Sequence, residues 1–568
     1  MFVFAIASYP SQTHVRSGAL VFIALALTST MLAQPSITSS GIVNATGYQT
    51  TLAPDTVFVI FGSGMGPATL AAASAPNYPT SLGGTSITFT PSGGGAAITA
   101  EMVYMSAVQV AALLPSSIAP GAYAVRLTYN DQTSAPQNVS VAARSFGIAT
   151  SNSAGTGAAQ ATIGNVNGGL SLVRLTSGSL AFGGFNWTLT PAYPGDTLVL
   201  WGTGGGADPL NDTGGTSGDQ TVAGNFSVNV DGTQITPLYA GASSGYPGLW
   251  QINFTLPATI APDCFASVQV SAGGQLSNGV TIAIAAAGQT SCASQVSAAT
   301  LSKLDSGGNI VFAGLSIGRV IGYEDGVGGV FNRYTAAEWL LPYSGPKFGL
   351  CTVLDETYPA GGKEPDAADA QLDAGTLTIS GPGLSSQAIR VLQTPTGPGY
   401  SSTLKEGTLV GGGTYTLTAS GGTQVGPFTV TATMPSNFTV TNLSSLSTIN
   451  RSQPLIFNWT GTGIDVVYIG VQGGTSTTTT THGVLISCTV PAGPGTYSIP
   501  AAALAYLPAV AAGSNNVSQI SIQAGPGGTP GGGFTASTSL TPNLVGGGQA
   551  DFGDFAPYIA YLVSATIQ

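Results

Sequence analysis

The sequence predicts an all-β protein made of tandem β-sandwiches, and the first observation behind this prediction is an internal duplication. The segment LAPDTVFVIFGSGMGP (52–67) returns as YPGDTLVLWGTGGGADP (193–209). Two further blocks recur in the same order: LPSSIAP (114–120) as LPATIAP (256–262), and NVSVA (138–142) as GVTIAIA (279–285). Blocks that recur in one order at nearly one offset indicate a duplicated domain.

The second observation is that short strand-like segments fill both copies. Examples are TVFVIF, TSITFT and YAVRLTY in the first copy, and FSVNVDG, LWQINFTL and FASVQVS in the second. Each is apolar or alternating and is bounded by Gly, Pro or Asn, which is typical of the strands of a sandwich. We place the first sandwich at 36–145 and its duplicate at 146–290.

The third observation is the composition. Only 6% of the 568 residues are charged, whereas 43% are hydrophobic and 81 are glycine. Such a chain can bury cores, and a neutral surface rich in Thr suits exposed strands. The formal charge of −11 argues against nucleic acid as a partner, because binding phosphates needs clustered Lys and Arg. It argues equally against electrostatic docking on anionic lipid.

The second half of the chain predicts two more β-rich domains after a linker at 291–300. We place them at 301–435 and 436–568. Two short segments, TAAEWLL (335–341) and PAAALAYL (500–507), predict helices in a part of the sequence that otherwise predicts strands. The apolar end PYIAYLVSATIQ is broken by polar residues and predicts a last strand rather than a membrane span.

Residues 1–33 predict an export signal at the N-terminus. Arg16 precedes the apolar run GALVFIALAL (18–27), and TSTMLA then ends at Ala33. We therefore expect a secreted or cell-surface protein with no transmembrane helix in the mature chain. A signal that stays attached as a membrane anchor is the alternative.

Four cysteines fit an oxidising compartment and leave three pairings open. We favour Cys264–Cys292, which would close the end of the second sandwich across one hairpin. Cys351–Cys488 would then link the two later domains. Because no CxxC motif occurs, the spacing supports neither zinc binding nor thioredoxin-type chemistry.

Several further blocks of residues 41–285 carry a resemblance to a known family: GIVNATGY (41–48), PTSLGG (79–84), YPGLWQINFTLP (246–257) and SNGVTIAIA (277–285) ahead of Cys292. Together with the duplicated blocks, they resemble an uncharacterised paralogous domain of secreted acidobacterial proteins, the Solibacter-type C-terminal domain. The resemblance implies immunoglobulin-like folds of the IPT/TIG kind, on exported proteins and with no established activity. The fold class that we predict is accordingly all-β, as tandem immunoglobulin-like β-sandwiches.

One motif leaves a catalytic alternative open. GLSIG (314–318) matches the GxSxG nucleophile elbow, in which Ser316 would be the nucleophile and His482 the base of a secreted serine hydrolase. Asp355 or Asp373 would orient the histidine. The elbow needs a helix after the serine, and the RVIGYEDGVGG that follows is a poor helix former. We therefore expect no catalytic residue.

The loop DPLNDTGGTSGD is rich in the oxygen ligands that calcium prefers. The candidate ligands are Asp208, Asn211, Asp212 and Asp219. Their spacing matches no EF-hand, and a polar loop between strands is the alternative. We expect no cofactor and leave calcium open as the one metal.

Aromatic side chains on a sandwich face can stack on sugar rings. Trp201 and Trp459 lie in apolar strands and are expected in cores. Trp250 and Tyr246, in SGYPGLWQ, are the candidates for an exposed ligand-binding site.

Taken together, these features favour a secreted, non-catalytic protein that binds or spaces at the cell surface. The expected partner is an extracellular polysaccharide or a surface protein. Carbohydrate binding near Trp250 is the first alternative function, and serine hydrolysis at Ser316 is the second.

Overall fold

The computed structural model describes residues 34–164, 169–182, 185–292, 296–359, 368–394, 396–510, 517–527 and 541–568. The signal predicted at 1–33 lies outside these residues. The fold is all-β and consists of tandem immunoglobulin-like sandwiches, as the sequence predicts. The described chain contains three short α-helices beside its strands.

Domain 1 (36–145) is a sandwich of two sheets. Its strands are β1 Ser36–Asn44, β2 Thr51–Leu52, β3 Thr56–Ser63, β4 Ala71–Ala72, β5 Thr85–Pro91, β6 Ile98–Thr99, β7 Glu101–Met105, β8 Gln109–Leu114, β9 Gly121–Tyr129, β10 Gln132–Thr133 and β11 Gln137–Val141. One sheet has the order β1-β3-β8-β7-β4, and the other has the order β2-β11-β9-β5-β6. Phe58 and Phe89 meet edge to face between the sheets, with ring centroids 5.4 Å apart.

Domain 2 (146–290) is the second sandwich. Its strands are β12 Gly147–Ile148, β13 Ala161–Gly164, β14 Leu170–Val173, β15 Gly178–Phe182, β16 Phe185–Thr190, β17 Thr197–Thr203, β18 Phe226–Val230, β19 Thr233–Ile235, β20 Tyr239–Ala242, β21 Trp250–Thr255, β22 Asp263–Ala272, β23 Gln275–Leu276 and β24 Val280–Ile284. One sheet follows β15-β16-β14-β13-β17-β21-β20, and the other follows β19-β18-β22-β23 with β24 beside β22. The duplicated blocks form corresponding strands: β3 and β17 follow the repeated Asp-Thr, and β11 corresponds to β24.

The C-terminal part of the chain is built around one sheet of eleven strands. The strands of the whole C-terminal part, inside and outside this sheet, are β25 Ile310–Val320, β26 Asp325–Tyr334, β27 Lys347–Phe348, β28 Cys351–Pro359, β29 Ala370–Gln371, β30 Leu377–Gly381, β31 Leu384–Ala388, β32 Val391–Thr394, β33 Gly397–Leu404, β34 Thr414–Ala419, β35 Phe428–Thr433, β36 Asn437–Val440, β37 Thr448–Ile449, β38 Leu455–Thr462, β39 Val466–Ser476, β40 Thr480–Pro491, β41 Thr496–Ile499, β42 Val517–Gly525, β43 Phe552–Ser564 and β44 Thr566–Ile567. The large sheet has the order β27-β28-β40-β39-β42-β43-β25-β26-β33-β32, with β29 beside β26. Smaller sheets, β31-β30-β34-β35 and β36-β38-β41, contribute to the same core.

The structure differs here from the predicted division into domains at 301–435 and 436–568. Strand β25, before that boundary, pairs in parallel with β43, after it. One core contains Leu315 and Phe331 from the first segment together with Ile469 from the second. The two segments therefore form one unit, because a strand near the beginning of the first segment pairs with a strand near the end of the second.

The helices are short and locally specified. Helix α2 (Ala336–Leu340) begins after Thr335, whose side chain accepts a hydrogen bond from Glu338 N in a capping box, and this confirms the predicted helix. Helix α3 (Ala501–Leu504) confirms the second predicted helix, with Pro500 as its N-cap residue. Helix α1 (Ala298–Asp305) begins within the predicted linker and is capped by Ser297.

None of the helices in the described ranges is both long and apolar enough to span a bilayer.

Candidate functional site

Trp250 lies at the junction between domains 1 and 2. It begins β21, is fully buried, and stacks on Phe226 with ring centroids 6.1 Å apart. Its indole Nε1 donates a hydrogen bond to Asp55 Oδ2 of domain 1 over 2.9 Å. The expectation that Trp250 is an exposed sugar contact is therefore wrong. The SGYPGLWQ segment does form a turn, but domain 1 covers it.

The close approach of the two domains requires glycine at position 248. Gly248 has φ +79°, and a Cβ there would stand 2.5 Å from Val57 Cγ2 and 2.7 Å from Leu113 Cδ1. Val57 and Leu113 belong to the face of the domain 1 sheet that points away from that domain's own core. This outward face is therefore the surface on which domain 2 packs.

Asp55 carries the electrostatics of the junction. It is fully buried before β3, and its Oδ1 has no hydrogen-bond partner among the residues that the structure describes. Burial raises the pKa of Asp55 well above its ordinary value; the Trp250 hydrogen bond lowers it only in part, and Asp212 and Asp208 raise it again. The carboxyl is therefore held toward its protonated form.

The counterpart of Asp55 in the second copy has a different role. Asp196 accepts a hydrogen bond from Tyr193 N over 2.8 Å, within its own turn. One duplicated aspartate thus holds a turn, while the other receives the tryptophan of the neighbouring domain.

Further hydrogen bonds fix the relative orientation of the two domains. Asn44 Nδ2 of domain 1 donates to the carbonyl oxygen of Thr203 in domain 2 over 3.3 Å. Val57 N donates to Thr203 Oγ1 over 2.9 Å, and Tyr48 OH donates to Ser153 O over 2.7 Å. Backbone groups on both sides are therefore satisfied only in this arrangement.

The loop predicted to bind calcium fastens domain 2 to domain 1. Asp212 accepts hydrogen bonds from Ser116 N at 3.0 Å and from Ser116 Oγ at 2.6 Å. Ser116 lies in the LPSSIAP block of domain 1. The carboxylate of Asp212 therefore acts as a cross-domain clamp.

The other three predicted calcium ligands are directed at separate partners. Asp208 accepts from Ser217 N at 2.9 Å, Asn211 Oδ1 from Gly248 N at 2.6 Å, and Asp219 from Ala240 N at 3.1 Å. Over the ranges that the structure describes, no group of three or more His, Cys, Asp or Glu side chains is placed to hold a metal ion. The structure does not gather the predicted set, because bonds to nearby backbone already occupy its oxygens.

Tyr246 lies at the rim of the same junction. Its side chain is half-buried, and its carbonyl oxygen accepts a hydrogen bond from Leu249 N over 3.0 Å. It stands close enough to Tyr78 of domain 1 to raise the pKa of that phenol, together with the larger effect of burial. Of the two predicted ligand-binding aromatics, only Tyr246 keeps an accessible surface.

The hydrolase arrangement is not assembled. Ser316 lies inside β25, between Gly328 of β26 and Ala556 of β43, and β25 continues to Val320 where an elbow needs a helix. His482 lies on β40, four strands away in the same sheet, which is about 19 Å at the usual strand spacing. His482 Nε2 does meet Asp355 Oδ1 at 2.8 Å, as the hypothesis requires of the orienting acid, but Ser316 is not beside this pair. Asp373, the other candidate acid, accepts from Thr423 N in a turn.

Of the two predicted disulfide bonds, the structure contains one. Cys351 and Cys488 face each other on β28 and β40 and form a disulfide, which confirms that pair. The Cys264–Cys292 bond is not formed in the structure, although both side chains lie in one buried cluster. The pairing of β22 with β24 ends at Asp263 and Ile284. Cys292 lies beyond the end of β24, and its N–H donates a hydrogen bond to Leu175 O. Cys292 is therefore not the cross-strand neighbour of Cys264.

A partly buried ion-pair cluster joins domain 2 to the C-terminal part. Lys347 Nζ lies 2.8 Å from Asp231 Oδ1 and 2.7 Å from Asp263 Oδ2. Burial alone would lower the pKa of Lys347, but the two carboxylates raise it above its ordinary value. The lysine therefore stays charged and holds two like-charged groups together.

A cavity lies between domain 2 and helices α1 and α2, and it was not predicted from the sequence. Its volume is about 450 Å³. Its floor is the outer face of the domain 2 sheet, with Leu172, Arg174 and Trp201. Leu304 and Leu340 of the two helices form the opposite wall. We call this cavity the Arg174 pocket.

Arg174 is the charged group of this pocket. It is only 4% exposed, and the two hydrogen bonds of its guanidinium both come from Nη1, to Val173 O at 2.7 Å and Ala159 O at 3.4 Å. Its Nε is buried, with no hydrogen-bond partner in the part of the chain that the structure describes. Burial lowers the pKa of Arg174, and the negative charge of Asp305 opposes that effect.

Sequence reasoning assigned Trp201 to a sandwich core and so missed the pocket. Trp201 is buried, but it points away from the core that contains Leu198 and Leu200, and its Nε1 donates to Thr162 Oγ1 over 3.0 Å. The available signal was Arg174 itself, one of only 12 basic residues, directly after the apolar strand LSLV. An arginine beside such an apolar strand indicates a buried guanidinium that needs hydrogen-bond acceptors.

Comparison with known proteins gives structural likeness only. No family model matches the chain. No curated protein matches it either.

Among solved structures, the chain is similar to a mixed-linkage glucan utilization locus protein, SGBP-B, of Bacteroides ovatus, at 13% identity over 76% of this chain and 85% of that one, with a TM-score of 0.12. It is similar to the FN1–FN3 domains of chicken CNTN1 at 11% identity, over 71% and 99% of the two chains, with a TM-score of 0.12. The four N-terminal Ig domains of Dscam1 match at 11% identity over 94% and 100%, with a TM-score of 0.11.

Proposed function

We propose that the protein is a non-catalytic extracellular binding or scaffold protein in which domains 1 and 2 act as one rigid unit. The observation that carries the proposal is the buried Asp55–Trp250 hydrogen bond. Burying a carboxyl group costs free energy of folding. A protein that keeps such a group gains specificity, because the group has its hydrogen-bond partner in only one relative orientation of the two domains. A fixed orientation of neighbouring sandwiches is what a spacer, or a binder that uses several domains, requires.

The separation of Ser316 from His482 supports a non-catalytic role. The two side chains lie on strands at different places in the large sheet, so proton transfer between them has no route. Each instead belongs to a regular strand ladder. The GLSIG motif is then a glycine-rich strand sequence and not a nucleophile elbow.

As partner we propose a neutral polysaccharide, bound on the outer face of the large sheet. Tyr468 and Tyr558 lie on this face, opposite the core residues Ile469 and Ile559. The ring of Tyr558 occupies the space that a Cβ at Gly318 would need, so the ring lies directly on the sheet. We call this surface the tyrosine face.

Uncharged polar side chains surround these rings. Gln519, Ser521 and Gln523 alternate along β42 with core residues and so point to the tyrosine face. Aromatic rings combined with amide and hydroxyl groups suit a neutral sugar, because the rings cover its C–H groups while the amides bond its hydroxyls.

The experiment is affinity electrophoresis of residues 34–568 in gels that contain neutral plant, fungal or bacterial polysaccharides. We expect retardation by at least one of them, and about tenfold weaker binding when Tyr468 and Tyr558 are both replaced by Ala. Tyr246→Ala serves as the matched variant at the site predicted from the sequence, and it should leave binding unchanged.

Two results would contradict the proposal in different ways. Loss of retardation in Tyr246→Ala alone would move the sugar site to the rim of the junction. Release of soluble sugar from any polysaccharide, lost in Ser316→Ala, would make the protein an enzyme.

A further inference from the structure

We infer that the Arg174 pocket binds a small organic carboxylate that carries an apolar body. The pocket volume, about 450 Å³, lies within the range of about 300–1,000 Å³ of small-molecule sites. The pocket lies beside the domain 1 junction, since Thr46, Ser153 and Leu249 belong to its lining, but none of its lining residues belongs to the tyrosine face. The inference does not rest on the proposed function.

The need for an anion comes from Arg174. A guanidinium offers five N–H groups in a planar fork that matches a carboxylate bidentately. Here Nη1 is bonded to two backbone carbonyls, while Nε is enclosed and has no partner among the described residues. A ligand cannot reach the enclosed Nε, but Nη2 donates no hydrogen bond within the described residues, so a carboxylate that accepts from Nη2 gains a strong charge-assisted bond.

The neighbouring carboxylate of Asp305 does not fill this role. Its Oδ1 accepts from Leu175 N at 2.8 Å, and its Oδ2 accepts from Thr176 N at 2.9 Å and from Thr176 Oγ1 at 2.8 Å. Asp305 therefore offsets the charge of Arg174 from a distance, while its oxygens stay bonded to Leu175 and Thr176. Nη2 of Arg174 remains available to a ligand.

The walls select a ligand with an apolar body. The lining includes the large apolar side chains of Leu172, Leu180, Trp201, Leu304 and Leu340. A hydrated inorganic anion would leave these side chains facing water, whereas an aromatic or branched body buries them. The exposed residues Ser151, Ser306 and Gly307 lie at the entrance, so the pocket opens to solvent.

The test is calorimetric titration of residues 34–568 with three probes. Phenylacetate has both charge and body, phenylacetamide has the body without the charge, and acetate has the charge without the body. We expect phenylacetate to bind at least about tenfold more tightly than either of the others, which is the effect of one charge-assisted contact or of one buried ring.

Two variants and a control locate the binding. Arg174→Gln should reduce phenylacetate to the affinity of phenylacetamide, while Arg126→Gln, at an exposed arginine of domain 1, should change nothing. Leu180→Trp leaves the arginine in place and fills the cavity from its half-buried side, so it should weaken both aromatic probes.

Several outcomes would overturn the inference. They are equal affinities for phenylacetate and phenylacetamide, an unchanged preference in Arg174→Gln, or no saturable binding of phenylacetate. If Arg174→Gln does not fold, binding of phenylacetate that survives in Leu180→Trp is sufficient to reject it.

Discussion

Replacing Trp250 by Phe tests the junction by removing one donor from a buried carboxyl. The variant keeps an aromatic ring beside Phe226 but leaves Asp55 with neither oxygen bonded. Stranding a buried polar group costs about 1–3 kcal/mol, and the smaller ring adds about 1 kcal/mol. We therefore expect Trp250→Phe to lower the free energy of opening the junction by about 2–4 kcal/mol.

Native-state hydrogen exchange is the suitable assay, because a chain of several domains does not unfold in one step. The amides to follow are those of β3 and β21, on the two sides of the junction. A cycle with Asp55→Ala then isolates the pair, and we expect a coupling of about 1–2 kcal/mol.

Trp459→Phe is the matched control for this cycle. Trp459 Nε1 donates to Ala492 O over 2.9 Å inside the C-terminal core, so the substitution removes a similar bond at a remote site. It should destabilise its own region and show no coupling to Asp55→Ala. Additive effects of Trp250→Phe and Asp55→Ala would refute the reasoning, as would unchanged exchange in β3.

Four further predictions follow from buried charges, from the clamp and from the disulfide. Burial raises the pKa of Asp554 to about 7, so the folded state keeps a proton that the unfolded chain releases. This group should make the free energy of unfolding fall by about 1.4 kcal/mol per pH unit as pH rises from about 4 to about 7, and the fall should be smaller by that amount in Asp554→Asn, where other carboxyls with a raised pKa, such as Asp55, still contribute. Lys347→Met should lower the free energy of unfolding in chemical denaturation by about 1–3 kcal/mol, since it leaves two partly buried carboxylates side by side without their cation, and a neutral effect would contradict the ion-pair cluster. Calcium or EDTA should leave the melting temperature unchanged while Asp212→Ala lowers it; a calcium-dependent shift would restore the predicted metal site. Reducing Cys351–Cys488 should lower the free energy of unfolding of the C-terminal part by about 2–5 kcal/mol, checked by denaturation with and without reductant.

Local features of the fold could be predicted from the sequence. The apolar runs after the repeated Asp-Thr become β3 and β17, because alternation and turn residues act over a few positions. Thr335 and Glu338 specify α2 through a capping box that is complete within its first turn. Cys351–Cys488 was predictable only as one of three pairings.

What could not be predicted depends on contacts between distant segments. The pairing of β25 with β43 joins the two ends of the C-terminal part, and no local pattern encodes it. Trp250 directly follows a glycine-rich turn, and such a sequence indicates an exposed position unless another domain covers it, as domain 1 does here. Trp201 lies in an apolar strand whose outer face is covered by helices from another part of the chain.

The most direct test of the rigid junction is a distance measurement by pulsed electron paramagnetic resonance. Spin labels at Gln132→Cys and Gln275→Cys would occupy exposed hairpins of domains 1 and 2, while the native Cys264 and Cys292 are buried. We predict a single narrow distance distribution that broadens in Trp250→Phe. A broad distribution in the otherwise unchanged protein would contradict a fixed junction and remove the main support for a scaffold role.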